Sequence, residues 1–470
     1  MRQLEPKDAW FVYVDTPRFR QAYMSAFVLT PDDADGRLPD RAEITRWFEE
    51  RAVLPLLRQR LLRVPLDLDH PYWVDDPDFA VDRHLHFHGA LGWDESRTMV
   101  ADLSTEPMDE RRPLWELHVI EQVHGVPDTD GPAMMVVLKM HHAVTDGIGS
   151  AVVTTTLFGD ALPPNPNAIP PQHIPGDVEL VLRALGRVPR TVVDAVSAVR
   201  RARANWRALH LARADAAYPL PRQDRTPTPL DGPVGPRRVI EAVHFALPEV
   251  QEIKARIGGV TVNDLMLTVV GGAMRAYLVE QGHTPPGSLA TSAPMTIRGT
   301  GTAAGDESNN KFVMMVVDLR TDIADPVARA RAVHDAVLGE RARLGVPAEA
   351  AVAHVDYMFP GWVFRAARRV RAWQGVDAQG IGRRPFNTFV SSVPREINEV
   401  RVAGTTCVHS FGIGPLDGTG TGHAVGAVGE RLGMNVAADP DLLTDSRRYA
   451  ELIRQSYTEL RDAARQLSMT

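Results

Sequence analysis

From Met134 to Met140 the chain reads Met-Met-Val-Val-Leu-Lys-Met, almost unbroken apolar, and then turns polar at His141 and His142 before an Asp146-Gly147 turn signal. An apolar run of strand length that ends this way reads as a buried strand delivering polar groups to its mouth. Adjacent side chains on an extended segment point to opposite faces, so both histidines cannot serve one substrate: one is the working base and the other structural. Upstream, a short turn around Leu4–Phe11 precedes a β-rich run at Ala26–Leu29. Ile44, Trp47, Phe48, Leu54, Leu57 and Leu61 then recur at helical spacing from Asp40 to about Leu62, with a break at Pro55. Ser96 to about Asp109 reads as a helix. Pro113–Ile120 reads as a strand beside the His-His strand, with Trp115 in the core. Gly147–Val153 should begin a helix whose small residues let a substrate approach the backbone.

The second half follows a new rhythm. Pro163–Pro175 is a proline-rich linker, Val178–Ala217 a helix rich in arginine, and Pro219–Pro236 a further loop. Alternating Val239, Glu241, Val243 and Phe245 predict a half-exposed strand. Helices follow from Leu247 and from Thr261 to about Leu278, strands at Asn387–Val393 and Val402–Phe411, and a last helix after Ser446. The expected division is residues 1–175, a basic helical crossover and linker over 176–236, and a second domain over 237–470. A chain of 470 residues exceeds what one core usually supports.

Composition narrows the function classes. At 44% hydrophobic and 24% charged residues the chain is ordinary globular material. A formal charge of -7 argues against nucleic-acid binding. With Cys407 the sole cysteine, no intramolecular disulfide can form. The N-terminal residues lack the apolar core of a secretory signal and no run of about 18 apolar residues occurs, so the expected address is the cytoplasm. Locally the charge is uneven. Arg183, Arg187, Arg190, Arg200, Arg201, Arg203, Arg207 and Arg213 are interleaved with apolar residues and Trp206. That suits either a helix lying on an anionic membrane surface or a solvated helix bridging domains. Phe359–Trp373 mixes aromatic and basic residues in the manner of an interfacial anchor. In an extended strand His84, His86 and His88 would share one face, as strand-borne metal ligands do. A solvent-facing histidine strip needs no ligand, and no metal is expected.

His141-His142-x-x-x-Asp146-Gly147 resembles the signature of the CoA-dependent acyltransferase and condensation-domain superfamily. Pro113-Leu114-Trp115-Glu116, Val262-Asn263-Asp264-Leu265 and Ala293-Pro294-Met295-Thr296-Ile297-Arg298, in that order around it, narrow the resemblance to the bacterial wax ester synthase/diacylglycerol acyltransferase family. The resemblance implies an α/β fold of two chloramphenicol-acetyltransferase-like domains, each a mixed sheet flanked by helices, with the active-site tunnel at their interface. It implies acyl-CoA-dependent esterification of diacylglycerol or a long-chain alcohol to triacylglycerol or wax ester, by direct transfer and without a cofactor. Partners are then a long-chain acyl-CoA, a lipid alcohol and a membrane or lipid-droplet surface, the last placing the protein at the inner face of the cell membrane. The alternatives are another hydroxyl acceptor, such as a polyketide or sugar, and a non-catalytic lipid-binding protein.

An alcohol is a weak nucleophile at neutral pH, so a base must take its proton as it attacks the thioester. The resemblance puts that base at His142, with His141, Asp146 and Gly147 in support. Asp146 either orients His142 or shapes the loop. The second reading is favoured, and Arg298 is its expected partner. Asn263 is either an oxyanion donor or the N-cap of the following helix, with the cap favoured. No serine or cysteine occupies a nucleophile motif, which favours a ternary complex over an acyl-enzyme. Pro415-Leu416-Asp417-Gly418-Thr419-Gly420-Thr421-Gly422-His423-Ala424 departs from the family pattern and is the expected lining of the acceptor pocket. The other departure is Tyr23-Met24-Ser25, where relatives often carry Met-His.

Overall fold

The computed structural model describes the chain except for residues 18, 33–35, 146, 163–172, 215–217, 219–220, 223, 297–311, 347–348, 350–361, 364–365, 367–369, 371–383, 393–398, 417–418 and 468–470. Asp146, Arg298 and most of the aromatic-basic stretch 359–373 lie outside the described residues.

The chain opens with β1 (Arg2–Gln3) and helix α1 (Pro6–Val14). This helix was read as a turn: its apolar residues Ala9, Phe11 and Val12 carry no long periodic signal of their own, and it owes its place to packing under the first sheet. Next come β2 (Ala22–Pro31) and α2 (Arg41–Glu49), the latter started by a capping box between Asp40 and Glu43. The expected helix to Leu62 stops early. A short 3-10 turn at Pro55–Leu57 leads into β3 (Gln59–Leu62), which pairs with β4 (Tyr72–Asp75), itself paired with β1. Pro55 cannot continue an α-helix, and the apolar residues beyond it serve that small sheet instead.

A βαβ unit follows: β5 (Leu85–Gly92), α3 (Trp93–Leu103) and β6 (Trp115–His124), with β5 and β6 parallel. The His-His strand is β7 (Met134–His141), succeeded by α4 (Gly147–Phe158). All eight β7 residues are buried because the strand is central and covered on both faces. Met134, Val136, Leu138 and Met140 enter one core with Phe27, Trp115 and Phe158, while Met135 and Val137 enter another with Ile120 and Phe411. That is why the strand lacks the alternation of a half-exposed one.

The long helix α5 (Asp177–Arg213) crosses to β8 (Val239–Ala246), α6 (Leu247–Ile257), α7 (Val262–Glu280), β9 (Ala290–Thr296), β10 (Phe312–Asp318) and α8 (Pro326–Leu344). The chain continues through β11 (Thr388–Ser392), β12 (Arg401–Val402), β13 (Thr405–Ile413), β14 (Thr421–Val428) and β15 (Arg431–Ala438) to helix α9 (Ser446–Gln466). Two six-stranded mixed sheets result, β12-β13-β2-β7-β6-β5 and β10-β9-β11-β14-β15-β8. Helices α6 to α9 pack against the second. The architecture is thus the expected pair of α/β units, with one correction to the sequence division. β12 and β13 follow residue 237 yet complete the first sheet, where β13 pairs antiparallel with β2. A strand's sheet is settled by the edge it finds, not by its place in the chain.

This exchange locks the halves together. Gly433 on β15 lies under β13, where a Cβ would stand 2.9 Å from the Ser410 carbonyl oxygen. His244 Nε2 donates to that same oxygen at 3.1 Å. On the other side Arg97 of α3 pairs with Glu241 of β8 and donates to the Ile240 carbonyl at 2.8 Å. A cleft opens at the junction, lined by Gly412 and Ile413 at the end of β13 and by Phe389, Ser391, His423 and Ala437 of the second sheet.

Candidate active site

The end of β7 divides its two histidines as alternation requires. His141 is buried, and its ring is held at both nitrogens. The Ala143 backbone N–H donates to Nδ1 at 3.0 Å, so Nδ1 is an acceptor and the proton sits on Nε2, which faces Asp15 Oδ2 at 3.2 Å. Arg20 pairs with the other oxygen of Asp15 at 2.9 Å and donates to the Thr105 carbonyl at 3.1 Å. Burial would raise the Asp15 pKa. The hydrogen bond and charge of His141, with those of Arg20, outweigh it and hold the carboxyl below its usual range.

His142 takes the opposite direction. Its backbone N–H donates to the Gln21 carbonyl at 2.8 Å, tying the end of β7 to the start of β2. Its half-buried ring stacks on Phe11 of α1 at 5.1 Å and lies against Tyr23 of β2 at 5.1 Å. Tyr23 itself donates to Met140 Sδ at 3.0 Å. The imidazole therefore stands against an aromatic wall, and α4 starts at Gly147 just beyond it. Phe11, Asp15, Arg20 and Tyr23 were not read as site residues. The only signal in the sequence was that a buried histidine needs an acceptor, which does not say where along the chain the acceptor lies.

Asn263 sits one place inside the helix it was expected to cap. The N-cap is Thr261, which forms a capping box with Asp264. Asp264 is fully buried and also accepts from His334 Nδ1 at 2.8 Å. Asn263 Oδ1 accepts from Ser392 Oγ on β11 at 2.7 Å, which leaves the amide N–H groups as its outward chemistry. The helix starts where expected, but its cap lies two residues before Asn263, because Thr261, with a residue able to bond back three places later, makes the better cap.

The departing segment 415–424 reaches the cleft through Pro415, Gly422, His423 and Ala424, while Asp417 and Gly418 lie outside the described residues. His423 is buried, with Nε2 2.9 Å from the Tyr449 hydroxyl and Nδ1 3.1 Å from Thr388 Oγ1. Burial pushes its pKa down to about 4. Register relates this cleft to His141: Ile413 pairs with Met24, two residues along β2 from Ala22, which pairs with His141. Ile413 therefore lies two strands across and two residues along from His141, about 12 Å away at normal strand spacing.

The expected histidine strip is rearranged. His84 ends a 3-10 turn before β5, stacks on Trp115 at 4.3 Å and places Nδ1 2.8 Å from the Trp115 carbonyl, so it belongs to the core. His86 and His88 remain together and are joined by His118 from β6.

Two joined α/β units, with a strand-end imidazole walled by aromatic rings and a cleft across the seam, define an acyltransferase of the chloramphenicol acetyltransferase type. The catalytic-domain profile of the wax ester synthase/diacylglycerol acyltransferase family matches residues 4–266 and the family's C-terminal-domain profile matches residues 308–461. The chain belongs to this family and is an acyl-CoA-dependent acyltransferase. Two putative diacylglycerol O-acyltransferases of Mycobacterium tuberculosis are 30% and 29% identical to it. The alignments cover 99% and 98% of this chain and 98% and 90% of theirs. The fold is similar to that of the wax ester synthase/diacylglycerol acyltransferase of Marinobacter aquaeolei, with a TM-score of 0.66 at 18% identity over 99% of this chain and 100% of that one. A trichothecene 15-O-acetyltransferase of Fusarium sporotrichioides shares it at a TM-score of 0.56 and 12% identity, over 98% and 95% of the two chains.

Proposed function

We propose that the chain transfers a long-chain acyl group from CoA to the hydroxyl of a lipid alcohol, with diacylglycerol or a long-chain alcohol as acceptor and triacylglycerol or wax ester as product. His142 is the base. It takes the hydroxyl proton as the oxygen attacks the thioester carbonyl; the tetrahedral intermediate then collapses, the carbon–sulfur bond breaks, and the proton passes to the CoA sulfur. The observation that carries this reading is the opposite placement of the two histidines at the end of β7. His141 is held at both ring nitrogens inside the fold, whereas His142 stands half-buried against an aromatic wall suited to apolar substrates. Asn263 contributes amide N–H groups to the oxyanion. Asp146 and Arg298 keep the supporting parts that the resemblance implies. The reaction needs no resident cofactor.

A lipid acceptor is insoluble, so the protein meets it at a surface. Helix α5 exposes Val178, Leu182, Leu185, Val193, Val196 and Leu211 among its arginines, a composition suited to an anionic lipid layer on the cytoplasmic side. Among the described residues no single helix is long and apolar enough to cross a membrane.

The test is release of free CoA from a long-chain acyl-CoA in the presence of diacylglycerol, a fatty alcohol, a sugar or a polyketide alcohol in parallel. Turnover with the first two, lost by about 10² to 10⁴-fold in a folded His142→Ala variant, is the expected result. An unchanged rate in that variant sinks the mechanism, and turnover confined to the last two moves the acceptor. Sedimentation with anionic but not neutral vesicles, lost when Leu182 and Leu185 become glutamate, checks the surface.

A further inference from the structure

We propose that His86, Glu116 and His118 form a site for a divalent metal ion of the zinc type, on the outer edge of the first sheet and separate from the acyl-transfer centre. One donor atom from each lies within 4.8 Å of the other two. β5 is the edge strand and pairs in register with β6, so His86 stands directly beside His118, and Glu116 lies two residues earlier on the same face of β6. Two imidazoles and one carboxylate, with water in the fourth position, are a donor set that zinc accepts. Tetrahedral ligands at about 2.1 Å stand about 3.3 Å apart, so the donors must draw together. His86 is exposed and has room to move.

The surroundings are arranged for coordination. His118 Nε2 lies 3.3 Å from Glu116 Oε2, and its Nδ1 lies 3.2 Å from His88 Nε2. Changing the tautomer of His118 frees Nε2 for the metal and lets Nδ1–H donate to His88, the outer hydrogen bond that orients most metal-bound histidines. Lys139 on β7, almost wholly buried, holds Glu116 Oε2 at 3.2 Å and so sets the direction of the carboxylate. Its ammonium also opposes a second cation, so the site depends on the anionic Glu116 beside it. Occupancy would pin edge strand β5 to β6, the neighbour of the His-His strand.

The experiment uses chelator-stripped full-length protein titrated with zinc chloride in competition with a chromophoric chelator, and with cobalt chloride followed by visible absorption. Wild type should bind one equivalent, show the absorption of tetrahedral cobalt, and gain in Tm. His86→Ala, an exposed change, should keep the fold and the acyltransferase rate while zinc affinity falls on the order of 100-fold; Glu116→Gln should lose zinc affinity likewise, at a cost in Tm because Lys139 is left without its carboxylate. Wild type that binds no zinc, or binds it no tighter than these variants do, overturns the proposal. Either result leaves the acyl-transfer reading untouched.

Discussion

At the residue scale, Asp15 is the part of the site that most needs a test. It accepts from His141 and Arg20 at once, so one carboxylate fixes both the buried imidazole and the loop between α1 and β2. Asp15→Asn keeps the shape but removes the charge that faces His141 Nε2. The rate of CoA release should fall about 10- to 100-fold, as for other groups that position a working residue through a neighbour. The KM for acyl-CoA should stay close to wild type, and a change in KM alone would place Asp15 in substrate binding instead. His141 and His142 were separable from sequence because strand alternation forbids a shared face. Their partners were not, since Asp15 and Phe11 lie more than 120 residues away in the chain and only the pairing of β2 with β7 brings them close.

At the scale of elements, the central strand, the late helices and the break at Pro55 were legible, while the strand that follows that break was not. The apolar run of β7 and the alternation of β8 each carry the period of their structure over a full element. Helix α1 is only nine residues long, too short for a periodic signal to stand out. The start of α7 turned on which residue caps it. Thr261→Ala removes the side chain that accepts from the Asp264 N–H and should cost about 1 kcal/mol in urea unfolding. Asn263→Ala leaves that cap intact and loses only the bond from Ser392, about 1 kcal/mol, so its main effect should appear in the rate of acyl transfer. The reverse pattern would make Asn263 structural.

For the whole molecule, stability should depend on the seam between the sheets. Gly433→Ala places a methyl against the Ser410 carbonyl, where β15 passes under β13, and overpacking of this kind costs about 1 to 3 kcal/mol. Reduced cooperativity in unfolding would show that the halves had come apart. His423 adds a pH dependence. It is buried and neutral with a pKa of about 4, against 6.5 in the unfolded chain, so below pH 6.5 the unfolded state binds a proton that the folded state refuses. Stability is therefore complete above pH 6.5 and declines as the pH falls towards 4, by about 2 kcal/mol at pH 5 from this residue alone. His423→Gln, which keeps hydrogen bonding but does not titrate, should flatten that part of the profile in urea unfolding at pH 7.5 and pH 5. An unchanged slope would assign the effect to other histidines such as the half-buried His244, whose pKa is also pushed down to about 4.

From the sequence by itself came the α/β content, which period and spacing carry as local physics, and the division of His141 and His142 onto opposite faces. The class of reaction and the proposed assignment of the base to His142 came from the resemblance of the His-His-x-x-x-Asp-Gly motif and its companion segments to a family. Only the tertiary structure decided that β13 completes the first sheet, that Asp15 anchors His141, that Ser392 occupies Asn263, and that His84 joins the core while His118 joins His86 and His88. Those are pairings between distant segments. They are chosen by which open strand edge and which buried polar atom remain to be satisfied once the chain has collapsed, and no local pattern encodes that choice.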